Sequence, residues 1–250
     1  MNTFLIIITI IYGIIIGSFL NVCIYRIPKN ESIVTDRSHC MTCGHKLKWY
    51  DLVPLVSYLT LGGKCRYCKT KISKQYPVIE FTNGVLYGIL VVVNGFNIST
   101  ILFCLCSSAL LALSVIDWRT FEIPIAFNIF IGILGIIRLL TDLEHWYVYI
   151  IGFFAVSGFL YLLFLITKGR GIGGGDIKLM AAAGLLIGWK NIILALGIGC
   201  VLGSIIHIIL MKVQNKKRVL AFGPYLSLGI YIAMLYGNQI IEWYINTFIY

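Results

Sequence analysis

Long apolar runs alternate with short polar turns along most of this chain, and one stretch breaks the rhythm. The first run, residues 3–25, has no basic residue before it and no small-residue cleavage site after it, so it reads as a retained span rather than a signal peptide. Residues 26–76 form the one long polar segment. Beyond it, apolar runs recur at roughly 77–94, 98–117, 123–140, 146–167, 176–189, 191–211 and 222–244. A helix needs about 20 apolar residues to cross a bilayer. The pattern predicts an all-α integral membrane protein of about eight transmembrane helices. Its parts are the first helix (1–25), a polar loop (26–76) and the remaining helices (77–250).

Composition removes the alternatives. Of the 250 residues, 59% are hydrophobic and only 12% charged, with a mean hydropathy of +0.92. A soluble domain carries about 25% charged residues, so this chain cannot coat a globule with polar surface, and it is too apolar to be disordered.

Charge then orients the spans. The 26–76 loop holds ten Lys/Arg against three Asp/Glu, which favours the cytoplasmic side. Alternation places both termini outside and puts the turns at 118–122, 168–175 and 212–221 inside. Eighteen of the twenty Lys/Arg then fall inside, leaving Arg138 and Lys190 outside. The net charge of +10 is thus mostly a topology signal. Its natural partner is anionic membrane lipid; nucleic acid would need a basic face on a soluble fold.

Two kinds of side chain carry candidate chemistry. Cys40, Cys43, Cys65 and Cys68 form two C-x2-C pairs, a donor set suited to tetrahedral structural zinc. Lys64, Arg66 and Lys69 beside the second pair favour thiolates. Free thiols or a redox pair are the plainer readings, and His39 and His45 read as neighbours rather than ligands. Cys23, Cys104, Cys106 and Cys200 lie in spans and read as small buried hydrophobes.

Acids within spans are costly and default to functional candidates. Asp117 ends the run 105–116, and Asp176 follows Gly-Ile-Gly-Gly-Gly at the start of a short small-residue helix. The topology puts both on one side at similar depth, as a paired-carboxylate site requires. Glycines such as Gly173 and Gly175 would let a substrate backbone approach. The bland readings are a helix cap for Asp176, a pair with Arg119 for Asp117, and snorkelling for Lys178. Lys178 could instead tune the pair. Glu80, just inside the second span, has no visible partner.

The ordered motifs resemble the bacterial type IV prepilin peptidases over nearly the whole chain. They are Gly17-Ser-Phe-Leu-Asn-Val-Cys-Ile-Tyr-Arg-Ile-Pro28, Arg37-Ser-His-Cys-Met-Thr-Cys43, Trp49-Tyr-Asp-Leu-Val-Pro54, Gly63-Lys-Cys-Arg-Tyr-Cys68 and Gln75-Tyr-Pro-Val-Ile-Glu80. Ile116-Asp117, Ile123-Pro124, Gly173-Gly-Gly-Asp176-Ile-Lys178 and Phe222-Gly-Pro-Tyr225 complete the set.

The resemblance implies an eight-helix intramembrane aspartyl protease of the bacterial cytoplasmic membrane, with Asp117 and Asp176 as the catalytic pair. It implies a prepilin or pseudopilin substrate of pilus, type II secretion or competence systems, cut after Gly at the cytoplasmic face. The new N-terminus would be methylated from S-adenosylmethionine by the N-terminal part, which includes the cysteine loop. Glu80 and residues 17–21 are candidates there by motif membership alone. The chain departs from the family pattern at Cys-Met-Thr-Cys, where Cys-Pro-x-Cys is usual, and at Ile125, where Asp or Asn is common. A carboxylate-relay transporter and a zinc-knuckle scaffold are the competing readings. The transporter would show paired hydropathy halves, which the single long loop after the first span argues against.

Overall fold

A computed structural model describes residues 3–35, 37–169, 171–214 and 221–248; parts of the expected turns at 168–175 and 212–221 lie outside them. The helices are α1 (Thr3–Arg26), α2 (Val56–Thr60), α3 (Gln75–Asn94), α4 (Ile98–Thr120), α5 (Ile125–Thr141), α6 (Trp146–Ile166), α7 (Gly174–Ile187), α8 (Trp189–Gln214) and α9 (Gly223–Phe248). No sheet forms among the described residues. Each expected apolar run coincides with a helix, to within a few residues. Among the described residues, five spans are long and apolar enough to cross a membrane: 3–29, 75–94, 98–120, 143–166 and 189–209. The helix α5 has 17 residues and α7 has 14. Phe4, Ile7, Phe154, Ile166 and many other large apolar side chains are exposed. In water that would be an aggregation liability; in lipid it is the outer belt.

The chain divides into two compact units, Met1–Ala112 and Leu113–Tyr250. In the first, α1 and α3 pack antiparallel through small residues four apart. Gly13 and Gly17 face Gly84 and Glu80 so closely that a Cβ on Gly17 would sit 2.7 Å from the Glu80 Cα. Between apolar helices in lipid there is little hydrophobic gain, so such backbone approach supplies the attraction. Buried polar groups then lock the pair. Asn83 Nδ2 donates to the Gly13 carbonyl (2.7 Å), Ser108 Oγ donates to Asn83 Oδ1 (2.9 Å), and the Tyr87 hydroxyl lies 2.9 Å from Ser108. At the loop end, Asn21 Nδ2 donates to the Tyr76 carbonyl.

In the second unit α7 is the core, and its residues Leu179 to Ile187 are all buried. It runs in the same direction as α5, with Gly132 by Ala182 and Gly135 by Leu185. Against α6 the backbones themselves touch, at Gly152 and Gly184. Along α8 and α9, Gly229 meets the Ala195 carbonyl in the same way. A Gly184→Leu substitution has no room at that contact. It should destabilise the detergent-solubilised protein by ~1–3 kcal/mol, the cost of an overpacked core, and so lower its thermal unfolding midpoint. Gly158→Ala, where the added Cβ meets nothing within 4 Å, should leave the midpoint unchanged or raise it slightly.

Candidate active site and candidate metal centre

Asp117 lies in the last turn of α4 and is buried. Its Oδ2 accepts a hydrogen bond from the Gly223 N–H, 2.8 Å away, at the first residue of α9. That N–H belongs to a helix N-terminus, whose unpaired donors and dipole favour an anion. Gly223 is also packed against the carboxyl group: a Cβ there would lie 2.7 Å from Asp117 Oδ2.

Asp176 is the third residue of α7 and is buried too. Its carboxylate reaches back to the N–H of Gly173, the N-cap residue, which is half of a capping box. This cap accounts for the local fold, and it leaves Asp176 within electrostatic reach of Asp117. The α4–α5 turn holds the two helix ends together, because Gly175 lies against Ile123, 3.0 Å from where its Cβ would be. Around Asp176 the backbone is open. Gly171, Gly173 and Gly174 are exposed, and a Cβ on Gly174 would meet nothing within 4 Å. A buried carboxyl pair beside bare backbone can handle protons next to an extended peptide. Lys178 is exposed.

The role of Gly223 was hidden in the sequence, because a backbone donor has no side-chain signature. Glycine followed by proline at a helix start is the one available hint, since Pro suits the first helical turn.

The loop of the first unit brings the four cysteines together. Their Sγ atoms all lie within 4.8 Å of one another, and Cys40 and Cys68 are 3.7 Å apart. Four thiolates around one zinc at about 2.3 Å sit about 3.8 Å apart, so the cluster has the dimensions of a metal site. Two matching knuckles build it, offset by 25 residues. Cys40 N–H donates to the His45 carbonyl and Gly44 N–H to the Cys40 carbonyl; Cys65 N–H donates to the Thr70 carbonyl and Lys69 N–H to the Cys65 carbonyl. Antiparallel bridges His39–Lys46 and Lys64–Lys71 close each one.

Local donors prepare the sulfurs. Bonds from Thr70 pull Cys68 down to about 6, and backbone N–H groups of Cys43 and Thr42 lower Cys40. Cys43 is helped by the His45 N–H. Even so, desolvation and the neighbouring Cys40 and Cys68 sulfurs push it up to about 11. Four thiolates packed this closely would repel one another, and a bound cation would relieve that repulsion. His45 stacks on Tyr67, with ring centroids 3.6 Å apart, and stays out of the donor set.

Glu80 also lies in the first unit and is buried at the α1–α3 contact. Its Oε2 accepts from the Leu55 N–H at 2.8 Å, and the Ser18 side chain bonds the same carboxylate. This partner, 25 residues away in the loop, was not visible in the sequence.

These features define a polytopic helical membrane protein with a buried aspartate pair and a separate tetracysteine loop. Comparison with known proteins gives the family. Residues 11–94 match the Bacterial Peptidase A24 N-terminal domain, and residues 104–208 match the Type IV leader peptidase family. A prepilin leader peptidase/N-methyltransferase of Pseudomonas aeruginosa is 31% identical, over 95% of this chain and 92% of its own. That of Bacillus subtilis is 34% identical, over 94% and 96%. The chain belongs to the type IV leader peptidase family. No solved structure matches it.

The matching knuckles place different residues at the same left-handed position: Gly44 and Lys69 both adopt positive φ, +67° and +59°. A non-glycine residue there costs about 1–2 kcal/mol. Lys69→Gly should slow metal release to a chromogenic chelator, and Gly44→Val should speed it.

Proposed function

We propose that this chain is an intramembrane aspartic endopeptidase that removes the leader from type IV prepilins or pseudopilins and methylates the new N-terminus. The observation that carries the peptidase reading is the Asp117–Asp176 pair, buried within one unit and flanked by exposed glycine backbone. The names of the relatives supply the substrate class and the second activity.

In this reading the two carboxyl groups share one proton, because two ionised carboxylates side by side are unfavourable. The ionised one takes a proton from a water molecule as that water attacks the scissile carbonyl. The protonated one donates to the carbonyl oxygen, giving a tetrahedral intermediate that collapses with protonation of the leaving amine. The Gly223 N–H holds Asp117 in place and stabilises its anionic form. The glycines at 173–175 let the substrate main chain approach Asp176, and Lys178 supplies a nearby positive charge. The basic loop and the excess of Lys/Arg in turns on its side support a cytoplasmic site, with both termini outside.

The four cysteines fit zinc by donor type and spacing. Cys40, Cys43, Cys65 and Cys68 would hold it, and it would cross-link a loop that has little core of its own. S-adenosylmethionine is the methyl donor that the relatives' names imply. Glu80 and Asn83, the buried polar side chains facing α1 from α3, are already bonded to Leu55 and Ser18, and to Gly13 and Ser108.

Asp117→Asn and Asp176→Asn should each reduce leader cleavage by about a hundredfold or more while the protein keeps its metal and its place in the membrane. Mass spectrometry of a prepilin-like substrate after co-expression reads the cut and the N-methyl group together. Cleavage by either variant at the normal rate would remove that aspartate from the mechanism. Metal analysis should give one zinc per chain, lost on Cys→Ser at any of the four positions.

A further inference from the structure

The segment 49–61, between the two cysteine knuckles, is apolar and turned outward. Trp49 is 79% exposed, Val56 55% and Leu59 75%, with Leu52 and Val53 exposed beside them. None of this surface serves the metal cluster or the α1–α3 contact. A soluble loop of this kind would be a liability.

Its depth shows what it faces. The Leu55 N–H is bonded to Glu80, which lies five residues into α3, or roughly 7–8 Å along the helix axis. On α3 the neighbours of Glu80 include Val78 and Phe81, large apolar side chains that are 56% and 60% exposed and belong to the lipid-facing belt. Leu55 is therefore tied at a level where the helix pair has already entered apolar surroundings. The tie is firm enough to hold Leu55 at φ +58°, a strained value for a branched side chain. Charge completes the pattern: Lys48 precedes the segment, Lys64 follows it, and the whole loop is strongly basic. Trp in company with Lys at an apolar boundary is the signature of a membrane interface.

We propose that residues 49–61 form an interfacial anchor that lies in the headgroup region of the adjacent leaflet and is retained there by anionic lipid. The loop is then not a free cytoplasmic module. It lies against the membrane through Trp49, Val56 and Leu59, and the metal cluster is held close to the surface where α1 and α3 emerge.

The test is fluorescence quenching of the full-length protein in nanodiscs, with the Trp49 signal isolated by subtracting the spectrum of Trp49→Phe. With phosphatidylglycerol present, lipid brominated near the headgroup should quench the Trp49 signal strongly and aqueous iodide weakly. Replacing phosphatidylglycerol by phosphatidylcholine should reverse that order. So should Leu59→Asp, with retained metal content verifying that the loop is folded. Iodide quenching that prevails in every disc would overturn the proposal. Protection from both quenchers would also overturn it, and would assign the face to a protein partner or a second copy.

Discussion

A carboxylate inside an apolar membrane protein must be given a hydrogen-bond donor, and in this chain that donor is repeatedly the backbone. Asp117 takes the N–H of Gly223, Asp176 that of Gly173, and Glu80 that of Leu55. Among the described residues, none of the three makes a salt bridge. A backbone N–H carries no charge and cannot swing away on a long side chain, so it fixes an acid without neutralising it. An arginine partner would hold the carboxylate ionised through a whole reaction cycle. A neutral donor leaves the acid free to exchange a proton, which is the property a catalytic pair requires.

That arrangement depends on helices coming very close. Gly223 can donate to Asp117 because it has no Cβ in the way, and α7 can stay enclosed because Gly184 meets Gly152 backbone to backbone. The first unit uses the same means for a different end. There, Gly17 against Glu80 brings α1 and α3 together, and Glu80 in turn reaches out to the loop. In both units small residues create the proximity and a buried acid converts it into a defined position.

Much of this could be read from residue order. Runs that face lipid are apolar on nearly all sides, so α1 and α6 stand out without any periodicity. Paired C-x2-C spacing pointed to the four-cysteine cluster, and acids are so scarce that Asp117 and Asp176 stand out by position alone. What stayed hidden has a common physical cause: main-chain groups leave no trace in side-chain identity. The partners of Asp117 and Glu80 are both of this kind. The likeness of the two knuckles was partly masked because the left-handed position is glycine in one and lysine in the other. Residues 49–61 are too short and too mixed to register as a span, and only their tie to α3 reveals the depth at which they lie.

The length of α7 has a consequence for how the reaction is supplied. Fourteen residues rise only about 21 Å, about 9 Å less than the roughly 30 Å of hydrocarbon in a bilayer. At its far end α7 turns at Gly188 directly into α8, which begins with Trp189 and Lys190 and is long enough to cross completely. Those two residues mark an interface, so the shortfall falls at the Asp176 end. Lipid cannot thin to meet a helix that α5, α6 and α8 surround. The Asp176 end of α7, with its exposed glycine backbone, therefore stops short of the other face of the bilayer. A buried acid that is to pass protons to water must be reached by water, and a helix that stops short of the bilayer face would be a means of admitting it.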